Sequence, residues 1–477
     1  MNSSNNAVKN TAKHRFSLPR EISLIGEAVG DAGGRPVLVG GWVRDHLLGQ
    51  PRAKDFDLEV FGLEPRKLKK LLTRFGPVHE VGRHFGVLKL ITREADYDVS
   101  VPRREAKTGK GHKGFRVEPD PGMSFPEAAS RRDFTINAMG YAFLEDDFLD
   151  PCGGEAHLRE RMLRHVGPAF GEDPLRVMRA MQFAGRFGLT IAPETLAICR
   201  EQDLRELPRE RMWEEFRKLL LRSPAPSRGL EYAEALGILK AFPELAKLAA
   251  AQKDGPAPWA ATMATVDHAA RLREGEGRDE LALMLAALCL EFGRPAPPAP
   301  DGAAAAKARA PVERPVRKFL ARLTNEATLV KAVVTLVREA PQPGLLFAGQ
   351  TGRVDGGVRR LALRVSIPLL ERLARARHYA LNYAPHPADA EREEYPAGAW
   401  LLERAEALGV LGGPPQPLLK GRHLQGEGFP SGPAMGILLK QAFELQLDGE
   451  LASLEEALRW AREAARRKPV DAAPGEP

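Results

Sequence analysis

The sequence predicts an α+β protein, with a small mixed sheet and its helices in the first third of the chain and helices throughout the remainder. Three observations carry this. Short β-branched runs alternate with amphipathic stretches between residues 21 and 99, the pattern of a compact mixed sheet. Beyond Pro224 the chain reads as Leu- and Ala-rich helices at 230–250, 262–273, 280–290, 318–338, 359–379 and 399–408, with apolar positions at helical spacing. A chain of 477 residues is long enough to bury more than one core.

In order, residues 1–20 are polar and basic without periodicity and form a flexible N-terminus. A helix is expected at 21–32 and a strand at 36–39. The chain breaks at Gly40-Gly41, and an amphipathic helix follows to Leu48. A turn at Gly49-Gln50-Pro51 leads to a strand over 55–60. A helix over 65–74 and strands at 78–81, 87–91 and 97–99 complete the sheet. Residues 103–119, RREAKTGKGHKGFRVEP, are rich in Lys, Arg, Gly and His and read as a mobile loop. A helix begins near Asp173, and a charged amphipathic one runs through Glu210, Arg211, Glu214 and Lys218. Residues 294–315 are Pro/Ala-rich and read as a loop, and 467–477 form a flexible C-terminus.

Composition narrows the function classes. With 70 basic and 63 acidic residues the formal charge is +7, which favours a polyanionic partner but is equally that of a soluble mixed surface. Cys152, Cys199 and Cys289 have no ligand-like spacing, so they read as packing residues in a reducing compartment, without a disulfide framework or a zinc site. No apolar run reaches membrane length, and the polar N-terminus lacks the hydrophobic segment of a signal peptide. No membrane partner is expected, and a cytoplasmic location is.

The chemistry concentrates in residues 37–60, VLVGGWVRDHLLGQPRAKDFDLEV. Asp55 and Asp57, two apart on a strand, point to one side, and two carboxylates that close call for a cation between them. A hard divalent ion satisfies them best, and Mg²⁺ leaves room for phosphate oxygens and water. Gly40-Gly41 lets the backbone approach a triphosphate, and Arg44 adds charge-assisted hydrogen bonds. The stretch is neither a dinucleotide fingerprint nor a P-loop. A tight turn followed by a solvated acidic loop is the plainer alternative. Asp98, with Asp96 on the same side, is a third carboxylate candidate, or part of a solvated edge strand.

Two further segments carry polar residues suited to a nucleotide. Arg132 in Arg131-Arg132-Asp133 can bridge phosphates, and Asn137 can both donate and accept at a ribose hydroxyl. Locally, an Arg132–Asp133 pair and a turn capped by Asn137 account for the same residues. Met139, Tyr141 and Phe143 read as core. Asp173 and Arg176 share a helix face, while Pro174 makes Asp173 a candidate N-cap. Arg179 and Arg186 extend a basic surface or are solvated helix ends.

GGWVRDHLLGQPRAKDFDLEV, DPCGGEAHLRERMLRHVG (150–167), RRDFTINAMG (131–140) and GEDPLRVMRAMQFAGRFG (171–188) together resemble the class II tRNA nucleotidyltransferase (CCA-adding enzyme) and bacterial poly(A) polymerase family of the DNA polymerase beta superfamily. A looser likeness resumes at 417–450, PLLKGRHLQGEGFPSGPAMGILLKQAFELQLDGE. The resemblance implies a nucleotidyltransferase head at 21–150, a helical neck with a nucleotide-reading helix at 151–225, a helical body at 226–380 and a helical tail at 381–466. It implies template-independent addition of CMP and AMP from CTP and ATP to the 3′ end of tRNA. Mg²⁺ would be held by Asp55 and Asp57. The nucleotide would be held by Gly40, Gly41, Arg44, Arg132, Asp133, Asn137, Glu172, Asp173, Arg176 and Arg179.

Cytosine and adenine both present an exocyclic amine beside an unprotonated ring nitrogen, so an Asp173 acceptor and an Arg176 donor complement both. Glu172 would fix Arg176 in place, and Glu210 and Arg211 would support the neck. The resemblance makes 103–119 the loop that helps the switch from cytidine to adenosine addition. The partners implied are the tRNA 3′ end and acceptor arm, with no obligate protein partner. A-only or CC-only addition, poly(A) synthesis and a non-catalytic RNA-binding role are the alternatives. Some long family members carry a hydrolase domain with a His-Asp pair. Here Leu290 and Glu291 stand at that place in LAALCLEFGRP (285–295), and Asp267-His268 remain nearby, so a scaffold without phosphohydrolase activity is expected.

Overall fold

The computed structural model describes residues 16–50, 55–81, 87–107, 115–251, 258–292, 312–349, 354–382 and 394–466. It divides into two compact units, Met1–Glu215 with Glu231–Ala241, and Phe216–Leu230 with Phe242–Pro477.

The first unit is built on a seven-stranded sheet. Its strands are β1 (Arg35–Val39), β2 (Asp55–Phe61), β3 (Val78–Val81), β4 (Val87–Ile91) and β5 (Asp96–Ser100), with β8 (Gly140–Ala142) and β9 (Asp147–Leu149). Their order is β3-β4-β5-β2-β1-β8-β9. Among the described strands of this sheet β2 and β5 are the parallel pair, with Asp55 opposite Asp96 and Asp57 opposite Asp98. Alternation in β2 is strict: Phe56, Leu58 and Val60 are buried on the face where the Tyr97 hydroxyl donates to Glu21 of α1 (Arg20–Asp31). Helices α2 (Gly41–Leu47), α3 (Pro65–Leu72) and α4 (Phe125–Ala129) complete this region. On the other face Val37, Val39 and Phe61 pack with Met123, Phe125, Ala128 and Ala129. Phe16 is buried, its ring centroid 4.3 Å from that of Tyr141 and 5.7 Å from that of Trp42; residues 1–15 lie outside the described ones.

Segment 103–119, expected as a loop, instead contributes β6 (Arg103–Lys107) and β7 (Phe115–Pro119), an antiparallel hairpin. A two-stranded ladder needs only backbone pairing, and Arg104 Nε donates to Asp120 Oδ2 at 2.6 Å, just past the end of β7. Residues 108–114 lie outside the described residues. After β9 come α5 (Gly154–Arg159), α6 (Leu175–Phe187), α7 (Pro193–Arg200) and α8 (Arg209–Arg222). Met139 and Tyr141 are buried and Phe143 is half-buried.

In the second unit, three expected helices are interrupted. Residues 230–250 resolve into Ser227–Leu230, a 3-10 turn at Ile238–Ala241 that belongs to the first unit, and Pro243–Ala250. Residues 318–338 resolve into Glu313–Ala321 and Ala327–Glu339, and 359–379 into Val354–Ala362 and Ile367–Asn382. Pro315, expected in a loop, stands in the first turn of Glu313–Ala321, where its missing N–H costs nothing; residues 293–311 lie outside the described ones. Phe216, Phe242, Phe292 and Phe319 form the aromatic centre, with neighbouring centroids 5.2–6.2 Å apart. The helix Arg278–Cys289 is buried from Glu280 onward, and Arg372 meets the Glu280 carboxylate through two 3.0 Å hydrogen bonds. Residues 467–477 lie outside the described ones. Among the described residues no helix is long and apolar enough to cross a membrane.

Candidate active site

β1 ends at Gly40, whose φ of 67° and ψ of −126° suit glycine and few other residues. A Cβ there would lie 3.3 Å from Arg132 Nη1 and 3.7 Å from Asp57 Oδ2, so the turn, the acidic strand and Arg132 meet at one point. Alternation in β2 sets Asp57 and Glu59 opposite the buried Phe56 and Leu58. Asp57 and Asp98 are both exposed and in register on parallel strands. Lys89 of β4 stands opposite Asp98, and its Nζ lies 3.2 Å from Asp96 Oδ2. Asp55 opens β2; its side chain lies outside the described residues.

Glu59 was not singled out by sequence, although its i+2 spacing from Asp57 marks it. Its Oε2 accepts from Arg132 Nη2 at 2.8 Å, and the pair is mostly shielded, with 23% and 12% of the side chains exposed. Arg132 Nη1 also donates to the Asn137 carbonyl, at 3.4 Å.

The Arg132–Asp133 pair suggested by sequence does not form. Asp133 Oδ1 accepts from Phe134 N–H at 2.7 Å and from Asn137 Nδ2 at 3.0 Å, while Oδ2 accepts from Arg179 Nε at 2.6 Å. Burial opposes the charge on Asp133, but Arg179, Asn137 and the Phe134 amide together hold its carboxyl below the usual range. Asn137 Oδ1 accepts from Arg44 Nη1, and Arg44 donates twice more to Asp45 Oδ1, at 2.8 and 2.6 Å. Arg44 lies over the ring of Phe187 at 4.4 Å. Arg44, Asp45, Asn137 and Asp133 are all buried. Arg186 approaches Asp45 at 3.8 Å and Glu215 approaches Arg179 at 3.9 Å. A hidden polar chain thus joins α2, the segment 133–137, α6 and α8. Asp45 and Glu215 are the members that sequence reasoning missed.

Helix α6 starts at Leu175, whose N–H is accepted by Asp173 Oδ1 at 3.0 Å. The same carboxylate receives both terminal nitrogens of Arg211, at 3.2 and 2.8 Å. Asp173 therefore serves the helix start and an ion pair together. Arg176 donates to the carbonyls of Ala169 and Arg131, each at 2.8 Å, while Glu172 is exposed. The main chain, rather than Glu172, steadies Arg176.

In the second unit Asp267 accepts from the Ser227 N–H and hydroxyl at 2.9 and 2.6 Å. The His268 ring sits edge-on to Tyr379. Burial, and secondarily Arg271, push its pKa down to about 4. Leu290 is buried, and Glu291 accepts from Arg377 at 3.1 Å.

Residues 37–164 match the family model described as the poly A polymerase head domain, and residues 188–248 match one described as a probable RNA and SrmB- binding site of polymerase A. The Multifunctional CCA protein of Stenotrophomonas maltophilia is 43% identical over 221 residues, 44% of this chain and 52% of that protein. Its counterpart in Nitrosococcus oceani is 42% identical over 213 residues, 44% of this chain and 50% of that protein. The chain spans about half the length of these curated relatives. Among solved structures, the Bacillus stearothermophilus CCA-adding enzyme in complex with CTP superposes with a TM-score of 0.65 at 23% identity, covering 94% of this chain and 99% of that one. The Thermotoga maritima CCA-adding enzyme complexed with tRNA_CCA gives 0.59 at 20% identity, covering 94% and 96%. These two likenesses are of fold.

Proposed function

We propose that the chain belongs to the CCA-adding enzyme and bacterial poly(A) polymerase family of the DNA polymerase beta superfamily, and that it adds CMP and AMP, from CTP and ATP, to the 3′ end of tRNA without a template. The observation that carries this reading is the open face of the head. There Asp57 stands in register with Asp98, beside the glycine turn and Arg132.

The donors on that face are carboxylate oxygens, the set that suits Mg²⁺, with Asp55 and Asp57 as its holders and Asp98 in support. When bound, Mg²⁺ lowers the pKa of the RNA 3′-hydroxyl and neutralises the triphosphate. The protein's own part is positioning. Gly40 keeps side-chain bulk out of the triphosphate's approach, with Gly41 beside it. Arg132 offers a guanidinium next to Asp57, and Arg44, Asp133, Asn137 and Arg179 hold that arrangement from behind. Asp173 and Arg176 form the base-reading corner, where an acceptor and a donor select the amine-bearing edges of cytosine and adenine. The tRNA acceptor arm is the macromolecular partner, and the Asp267–His268 region serves as scaffold without hydrolase chemistry.

The test uses three purified tRNAs ending before the first C, after it, and after CC, each given CTP, ATP or both. Extension of all three to CCA, stopping there, is the expected result. Extension only from CC would instead identify an A-adding enzyme, and arrest at CC a CC-adding one. Long adenosine tails on generic RNA would identify a poly(A) polymerase, and no incorporation with retained tRNA binding a non-catalytic RNA-binding protein. Asp57→Ala should abolish incorporation, and wild-type activity in that variant would refute the assignment.

A further inference from the structure

Deepening that reading of the same site, and resting on it, we infer that Glu59 is the positioning residue for Arg132, and through it a determinant of nucleoside triphosphate affinity. Glu59 follows Asp57 by two residues on β2 and so projects to the same side of the sheet. It does not join the exposed acidic pair, because only 12% of its side chain is exposed. Its Oε2 instead takes one terminal nitrogen of Arg132 at 2.8 Å.

The other terminal nitrogen is steered by the Asn137 carbonyl at 3.4 Å. It lies 3.3 Å from where a Cβ on Gly40 would be, and that same position is 3.7 Å from Asp57 Oδ2. Arg132 Nε is buried without a hydrogen-bond partner, so the guanidinium cannot be held from its inner edge. Glu59 and the Asn137 carbonyl therefore fix the plane of the fork, with Nη1 at the Gly40 turn that Asp57 Oδ2 also approaches. A guanidinium is effective towards phosphate when its planar fork is oriented in advance. Without Glu59 the long side chain regains its rotamers, and that freedom must be lost again each time a triphosphate binds. The effect falls on ground-state binding of either nucleotide and leaves the RNA alone.

Steady-state kinetics of the full chain tests this with Glu59→Ala, Glu59→Gln, Arg132→Ala and the double variant. Glu59→Ala should raise KM for CTP and for ATP about tenfold, with kcat within about threefold of wild type and KM for tRNA unchanged. Glu59→Gln keeps an acceptor oxygen and should recover most of the loss. In the Arg132→Ala background, Glu59→Ala should add nothing. Unchanged nucleotide KM in Glu59→Ala would overturn the inference. So would an equal penalty with and without Arg132, or a parallel loss in kcat and tRNA KM accompanied by a lower thermal transition. If wild type transfers no nucleotide, the function reading fails by itself, and calorimetric CTP affinity of Glu59→Ala against wild type then decides the role of Glu59; absence of CTP binding by wild type would overturn both.

Discussion

Replacing Asp133 by asparagine removes a charge from the middle of the hidden polar chain while keeping its shape. The carboxylate meets Arg179 at 2.6 Å, with 9% of its own side chain and 31% of the arginine's exposed. Removing one member of a fully buried pair costs about 3–5 kcal/mol because the other charge is orphaned. Here Arg179 is partly rehydrated and has Glu215 at 3.9 Å, so about 2–3 kcal/mol is expected, between the exposed and buried limits. For a unit of roughly 200 residues that lowers the thermal transition by about 4–12 °C. Scanning calorimetry of Asp133→Asn, Arg179→Met and the double variant measures it, and the double should be more stable than the sum of the singles by over about 1 kcal/mol. The effect also has a pH sign. Because the folded carboxyl is held below its ordinary value, its contribution is present above about pH 4 and lost as pH falls through the folded pKa. Wild-type and Asp133→Asn transitions should therefore converge in acid. Additivity of the two single variants, or a gap that persists at low pH, would refute the coupling.

Two more expectations separate neighbouring residues. Gly40→Ala, forced into a conformation disfavoured for L side chains, should cost about 1–3 kcal/mol and reduce incorporation. Gly41→Ala, in a helical conformation with its nearest added contact at 3.4 Å, should leave the melting temperature within about 3 °C of wild type, and equal sensitivity of the two positions would refute the backbone argument. In the second unit, His268 has a folded pKa of about 4 against about 6.5 unfolded. The unfolded chain then takes up the proton first, and stability falls as pH drops through that interval. His268→Gln should flatten the fall, and an unchanged pH profile of the melting temperature would show that another group causes it.

The sequence was most legible where one local pattern decides the structure. Strict alternation in DFDLEV placed β2, and the glycine pair placed the break before α2. Partnerships across the chain were hidden: Arg44 meets Asn137 across 93 positions and Arg132 meets Glu59 across 73, distances over which no periodicity speaks. That is why Arg132 looked paired with its neighbour Asp133, and why Glu59 was not singled out. The strands at 103–107 and 115–119 were misread because polar composition argues against a packed strand, while a two-stranded ladder needs only backbone pairing. The split helices of the second unit have the same origin. Their apolar period continues past the breaks at 322–326 and 363–366, so periodicity alone could not locate the corners.

The buried chain from Asp45 to Glu215 also bears on chimeras. Its members come from four stretches widely separated in sequence, so a single crossover anywhere between residues 45 and 215 parts some of them from the others. A hybrid that takes residues 16–150 from this chain and α6 and α8 from a relative with other side chains at 179 and 215 keeps Asp133 and Asn137 without Arg179 and Glu215. A seamless join at the backbone would then leave a mismatch of charge inside the fold. Exchange of heads between relatives is therefore expected to succeed only when positions 44, 45, 133, 137, 179, 186 and 215 travel together, as one inherited set scattered along the chain.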